Sequence, residues 1–340
     1  MILMADQYNN ISTLINIHSF NNYMNKNKIM YLDQGTYGCV YKPSFDCESK
    51  KKSPTKTIGK IFKETQYYLE EIEIEKIKKK MDPQGKFTIK KIDHCRLSKP
   101  LMVSDTCDIS NSNVGQIIYE YGGTPLSEFM KSKPDIEKII SGMLNIANGL
   151  KVMKSKQYCH RDLKLDNILI KNDKMYIIDF GLMIPFSKVY EEDQNYVLRH
   201  NYIYYPPEFK IYYNSKVFST NLSVISDLQK FLIYDVKMNY TKTSVILFDE
   251  NQIRRGIRDI LSMFDNNMIM KKSLIQIADK IDIFSYGIIL QQLLQKPIKD
   301  EKKLKKKLQM LANECTHPNP FVRKDVDYVI NELTKIKLRI

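Results

Sequence analysis

Between His160 and Asn167 the chain reads His-Arg-Asp-Leu-Lys-Leu-Asp-Asn, and three of these side chains could act together on one small group. Asp162 can accept a proton from an attacking hydroxyl. Lys164 can hold a negatively charged group beside it. Asn167 offers a carbonyl oxygen to a divalent metal. The apolar run Ile168-Leu169-Ile170 follows and reads as a short buried strand. Further on, Ile177-Ile178 ends in the carboxylate of Asp179, followed by Phe180 and by Gly181, which is free to turn. Two strands, with a polar loop before one and an acid after the other, read as a hairpin framing a metal–phosphate site.

Other elements must position these groups. In Tyr31–Tyr41, Gly35 and Gly38 lack a Cβ and would let backbone N–H groups approach phosphate oxygens. Thr57–Lys63 alternates as a strand, with Ile58, Lys60 and Phe62 on one face and Lys63 on the other. Residues 65–81 read as an amphipathic helix ended by Asp82-Pro83. Its apolar stripe is Leu69, Ile72, Ile77 and Met81; Glu70 and Glu73 lie on that stripe, while Glu71 and Glu75 read as a solvated face. Residues 87–99 form another strand, residues 100–114 a loop, and Gln116–Tyr121 a strand ending at Gly122-Gly123. Residues 135–157 carry helical periodicity through Ile139, Ile140, Met143, Ile146, Leu150 and Met153.

Composition bounds the class. A chain of 340 residues with 43% hydrophobic and 27% charged residues is expected to be globular and soluble. Six scattered cysteines without a CxxC pair suggest free thiols in a reducing, intracellular compartment, and neither a disulfide framework nor a zinc site. No apolar run approaches the roughly 20 residues of a membrane-spanning helix. The net charge of +14 comes mostly from lysine, only eight of the 53 basic residues being Arg. With the abundance of Asn and Ile, that is what an AT-rich genome produces. Nucleic-acid or membrane binding through a basic surface is therefore not favoured, and blocks such as Lys78–Lys80 and Lys302–Lys307 read as solvated faces.

The His160–Asn167 run with Asp179-Phe180-Gly181 resembles the catalytic loop and DFG segment of eukaryotic-type protein kinases. The resemblance extends over residues 31–325. It implies an α+β, two-lobed fold: an extension at 1–28, a small mostly-β lobe with one key helix at 29–121, and the hinge with a larger mostly-α lobe at 122–340. Tyr205-Pro206-Pro207-Glu208 resembles the APE motif, and Asp282–Gly287 the start of the large lobe's central helix. His317–Arg323 resembles the segment whose Arg pairs with Glu208. Glu208 and Asp282 are farther apart than in the family, so residues 211–278 read as an insertion, with helical patterns at Leu222–Leu232 and Ile253–Phe264.

The family's chemistry implies ATP and Mg²⁺ as cofactors and protein substrates as partners. Asp162 would deprotonate the substrate hydroxyl and Lys164 neutralise the transferred group; Asn167 and Asp179 would hold metal. Nucleotide contacts fall to Leu32, Asp33, Gln34, Gly35, Thr36, Tyr37, Gly38, Cys39 and Val40, with Asp33 where the family usually has its first glycine. Further contacts come from Glu120, Gly122 and Leu169, with Tyr119 at the back of the adenine site. Lys60 and Lys63 compete for the phosphates, and Lys60 is favoured because the strand continues past it; Glu73 is favoured over Glu70 as its partner.

Lys164 is the type found in Ser/Thr-directed members. Phosphorylation of Ser187, Tyr190, Tyr196 or Tyr202, answered by Arg161, is one expected mode of regulation; constitutive charge from Glu191, Glu192 and Asp193 is another. Asn201 stands where Ser/Thr members usually carry threonine. The inserted stretch and the Lys/Asn/Ile bias resemble protein kinases of large DNA viruses, which would place the protein in host cytoplasm or virion. The rival readings are a catalytically silent member that binds a partner, a small-molecule phosphotransferase and a basic nucleic-acid-binding protein.

Overall fold

The period-two alternation early in the chain folds as an antiparallel sheet of five strands. They are β1 (Met30–Gln34), β2 (Gly38–Lys42), β3 (Thr57–Phe62), β4 (Lys91–Arg96) and β5 (Gly115–Glu120), in the order β1-β2-β3-β5-β4. A computed structural model describes residues 28–48, 56–97, 107, 115–132, 135–189, 203–209, 250–261, 275–295 and 302–338. These divide into two units: the residues up to Gly85 together with Ile89–Gly122, and Lys86–Thr88 together with Gly123 onward. Lys86–Thr88 joins the second unit because Ile177 donates its N–H to Phe87 O at 2.8 Å and Thr88 bridges Ile177 in parallel.

In the first unit, β2 pairs Val40 with Lys60 of β3, and β3 pairs Ile58 with Tyr119 of β5. One apolar cluster gathers Ile29, Tyr41, Phe45, Ile61 and Leu97. A second joins the sheet to α1 (Thr65–Met81): Phe62 and Ile117 pack against Tyr67, Tyr68, Ile72 and Tyr119. Gly38 is dictated by packing, since a Cβ there would run into the carbonyl oxygen of Ile61, whereas the space around Gly35 is open.

Two expectations fail in this unit. The inner face of α1 is partly polar: Glu71, Glu75 and Lys78 are buried as well as Met81 of the predicted stripe, whereas Leu69 is exposed. Four of the six cysteines form disulfides, Cys39–Cys107 and Cys47–Cys95, with Cα separations of 6.2 and 5.7 Å. The partners are far apart in sequence and meet only once the strands pair, so their spacing carries no signal. Cys159 and Cys315 are buried thiols outside these disulfides.

The second unit is mainly helical. In α2 (Ile136–Ser155) every residue of the expected apolar stripe is buried, and Asp135 caps the helix by accepting the Glu137 N–H at 2.9 Å. β6 (Thr124–Pro125), β8 (Ile168–Lys171) and β9 (Lys174–Ile177) form a small sheet, and β7 (Tyr158–Cys159) pairs with β10 (Ile184–Pro185). Gly123 has φ +99° and no room for a Cβ beside Ile170 O, so only glycine serves there.

Next come α3 (Glu250–Leu261), α4 (Asp279–Gln295), α5 (Lys302–Cys315) and α6 (Val326–Lys337). α4 is buried on nearly all sides, as an apolar sequence without a polar stripe requires, and its Tyr286 hydroxyl donates to Met143 O at 3.1 Å. α3 lies within the expected insertion, where a Cβ at Gly256 would crowd the Pro318 ring and Asn319 donates to Asp259 at 2.9 Å. The other expected inserted helix, Leu222–Leu232, and the extension 1–27 lie outside the described residues. No helix among the described residues is long and apolar enough to cross a membrane.

Candidate active site

The second unit builds its site on the loop between β7 and β8. Asp282, near the start of α4, accepts the backbone N–H of His160 at 2.7 Å and of Arg161 at 2.9 Å, one on each carboxylate oxygen. This clamp holds Arg161 at φ +68°, a conformation costly for a side chain with a Cβ. Burial pushes the Asp282 carboxyl up, and the His160 and Arg161 contacts oppose that shift. The His160 ring packs edge-on against Phe180 at 4.7 Å, and its Nε2 lies 3.1 Å from Ile178 O. The strand leading to Asp179 is thereby tied to the same loop.

Three of the expected side chains meet on this scaffold. Lys164 Nζ donates to Asp162 Oδ2 at 2.8 Å. Asn167 Nδ2 donates to Asp162 O and to Asp162 Oδ2, each at 2.8 Å. Asn167 is buried and sits in a tight helical turn, Leu165–Asn167, and its backbone carbonyl accepts the Ile178 N–H at 3.0 Å. Asp179 is half-buried, with φ 59° and ψ 70°, immediately after β9 and Ile178. Because the Asn167 amide nitrogen is committed to Asp162, its Oδ1 and the Asp179 carboxylate are oxygen donors of the kind that suits Mg²⁺. That ion needs only one or two protein ligands beside substrate phosphates and water, so the donor set fits it.

In the same unit, Arg323 donates from Nη1 to Glu208 Oε1 at 2.6 Å and from Nη2 to Oε2 at 2.9 Å; both side chains are buried. Ser187 is exposed. Tyr190, Glu191, Glu192, Asp193, Tyr196, Asn201 and Tyr202 lie outside the described residues. Leu169 is half-buried on β8, opposite Tyr176.

The first unit carries the remaining candidates. Lys60 Nζ donates to Glu71 Oε2 at 2.8 Å, both side chains being largely buried. Lys63 lies just past the end of β3, its N–H donating to Tyr37 O at 2.9 Å. Glu73 is not the partner of Lys60: its side chain is 66% exposed and pairs with Lys76, and Glu70 is exposed and bonded to Gln66. The apolar period misleads here because the face of α1 turned to the sheet carries, beside Ile72, buried charges that neutralise one another.

Gly35 N–H donates to Gly38 O at 2.9 Å, closing the turn that carries Thr36 and Tyr37. Leu32, Asp33, Gln34 and Thr36 are exposed, and Asp33 accepts its neighbour's N–H at 2.8 Å. Val40 is half-buried. Cys39 is fully buried in its disulfide, so its side chain is not available to a nucleotide. The Glu120 N–H is engaged by Lys90 O at 3.1 Å, and Gly122 is buried.

Sequence reasoning missed the clamping role of Asp282 and the buried pair Glu75–Lys78. For the latter a signal existed: Glu71, Glu75 and Lys78 share one helical face at spacings of four and three.

The family described as protein tyrosine and serine/threonine kinase matches residues 27–227, more than half of the chain. A chain of Acanthamoeba polyphaga mimivirus, named as a serine/threonine-protein kinase, is 42% identical over 67 residues, covering 19% of this chain and 10% of its own length. A tyrosine-protein kinase of Girardia tigrina is 32% identical over 116 residues, 32% of this chain and 23% of its own. A mitogen-activated protein kinase of Aspergillus terreus is 37% identical over 115 residues, 31% of each chain. The matched stretches span less than a third of the length of these relatives.

Proposed function

The chain belongs to the protein tyrosine and serine/threonine kinase family, with that family's α+β, two-lobed fold, and from this premise we propose that it transfers the γ-phosphate of ATP to Ser or Thr hydroxyls of protein substrates. The observation that carries the reading is the convergence of Lys164 and Asn167 on the carboxylate of Asp162. Asp162 accepts the proton of the substrate hydroxyl as the hydroxyl oxygen bonds to the γ-phosphorus, whose bond to the bridging oxygen breaks to release ADP. The Lys164 ammonium lies beside that carboxylate and offsets the charge of the transferred group. Asn167 keeps Asp162 oriented through its amide nitrogen. Lys60, steadied by Glu71, binds phosphate oxygens of the nucleotide. Asn167 and Asp179 would hold Mg²⁺, which supplies charge neutralisation between the phosphates. Transfer of this kind gains mainly from positioning and fixed charge, and these residues provide both.

The preference for Ser and Thr rests on Lys164, since the matched relatives carry names of both specificities. An origin among large DNA viruses is supported by the mimivirus segment and the Lys/Asn/Ile bias. The test is incubation of the purified chain with labelled ATP, Mg²⁺ and a generic basic protein, followed by phosphoamino-acid analysis. Label on Ser and Thr is expected; label on Tyr alone overturns the specificity, and nucleotide binding without transfer makes the chain a silent member.

A further inference from the structure

Lys60 and Glu71 are one end of a longer polar chain inside the first unit. Glu71 gives Oε2 to Lys60 and turns Oε1 toward the Tyr119 hydroxyl, 3.3 Å away. The same hydroxyl lies 3.0 Å from Glu75 Oε1, and Glu75 accepts from Lys78 Nζ at 2.5 Å. Lys78 Nζ also stands 5.4 Å from the centre of the Tyr119 ring. Glu75 and Lys78 are more than nine-tenths buried, at 5% and 6% exposure.

We propose that Tyr119 is a positioning residue: its hydroxyl, braced by the buried Glu75–Lys78 pair, fixes the second oxygen of Glu71 and so holds Lys60 in place for the nucleotide.

The charges balance along the chain. Two carboxylates face one hydroxyl, an arrangement that would repel were each carboxylate not neutralised by its own ammonium. A hydroxyl carries one hydrogen, so the two acceptors share it. Burial and the two carboxylates push the Tyr119 hydroxyl well above its usual titration range, so it remains a donor throughout the working pH range. A carboxylate bonded through one oxygen can swing about its side-chain torsions. Bonding the second oxygen to a residue of β5 removes that freedom, and β5 is paired directly with β3, which carries Lys60. An ordinary packing role for Tyr119 would need only its ring, and would leave the burial of Glu75 and Lys78 without a purpose.

For its functional consequence the proposal rests on the phosphotransferase reading, so the test combines activity with a readout that does not need it. The rate at which an amine-acylating reagent modifies Lys60 is followed by peptide mass spectrometry in the full chain, with exposed Lys76 as internal reference. Tyr119→Phe keeps the ring and removes the hydroxyl. It is expected to raise Lys60 acylation by about tenfold and to lower kcat for phosphate transfer by a similar factor, with KM for the protein substrate unchanged. Glu71→Gln should do the same, and the double variant should be no worse than Glu71→Gln alone, because the hydroxyl acts through that carboxylate.

Lys60 reactivity unchanged in Tyr119→Phe, or effects that multiply in the double variant, would overturn the proposal. So would a lowered melting temperature with kcat intact. If the wild type transfers no phosphate while Lys60 reactivity still responds, the positioning role stands and the kinase reading falls. Should Tyr119→Phe fail to fold, Glu75→Gln asks the same question from the other side of the hydroxyl, with the same expected rise and the same overturning result.

Discussion

Lys164 reaches back two residues to set its ammonium 2.8 Å from the carboxylate of Asp162, on the oxygen that also accepts from Asn167. That carboxylate oxygen is thus bonded from two sides before any substrate arrives. Asp162→Asn keeps the shape and removes the proton acceptor. It should leave the melting temperature within a degree or two and nucleotide binding intact, while kcat falls by about 10²–10⁴. Steady-state kinetics beside a thermal melt decide it, and turnover near the wild-type rate excludes Asp162 as the base.

Glu71 and Glu73 should separate cleanly. Glu71→Gln leaves the Lys60 ammonium largely buried without its opposing charge, and kcat is expected to drop by tenfold or more, about 1.4 kcal/mol at the least. Glu73→Gln alters only an exposed contact with Lys76 and should leave kcat within about twofold. Equal effects of the two changes would return the pairing to an open question.

The Glu208–Arg323 pair is fully buried and doubly hydrogen-bonded. Arg323→Met strands the Glu208 carboxylate and should cost about 3–5 kcal/mol of stability, read by chemical denaturation. Replacing both partners with apolar residues should restore part of that loss, because the penalty lies in the uncompensated charge.

How much of this was legible beforehand depends on how local the information is. The His160–Asn167 loop and the Asp179 turn are each contiguous in sequence, so residue types alone expose them, and the buried stripe of α2 follows from its apolar period. The partner of Lys60 was not legible from hydrophobicity, because α1 turns Glu71, Glu75 and Lys78 inward and satisfies them with Lys60 and Tyr119. That information resides in strand pairing, which a helical period cannot report. The disulfides were hidden for the same reason, Cys47 meeting Cys95 only across the folded sheet edge.

Acidification should weaken the second unit through His317. Its Nδ1 lies 3.1 Å from Asn319 N and 3.2 Å from Asn319 O; the second contact favours the charged ring, but burial outweighs it and holds the pKa below the ordinary histidine value. The unfolded chain then takes up the proton first, so stability is lost as pH falls through about 6.5 toward the lower folded value. Burial lowers His94 in the first unit as well, and the sign is the same there. Melting temperature should fall between pH 7.5 and 5.5, and His317→Gln should fall less; equal falls would remove His317 from the account.

Reduction should destabilise the first unit. Each disulfide closes a long stretch of chain, and losing one is expected to cost about 2–5 kcal/mol. Melting with and without a thiol reductant measures this. The Cys39→Ala/Cys107→Ala variant should retain part of the sensitivity through Cys47–Cys95, and a reductant-insensitive wild type would argue against both bonds.

Arg323 does more than neutralise Glu208. The Nη1 that bonds Glu208 also donates to Lys280 O at 3.1 Å, and Lys280 returns a hydrogen bond from its Nζ to Arg323 O at 2.6 Å. One guanidinium therefore clasps the chain where the long connection departs and where it comes back. Glu208 and Lys280, far apart in sequence, are thereby neighbours within the unit that carries the His160–Asn167 loop. The free energy of bringing two such positions together grows only logarithmically with the length of chain between them. The start of α4, whose Asp282 clamps the β7–β8 loop, is thereby fixed to Glu208 through side-chain and carbonyl contacts instead of through the intervening chain.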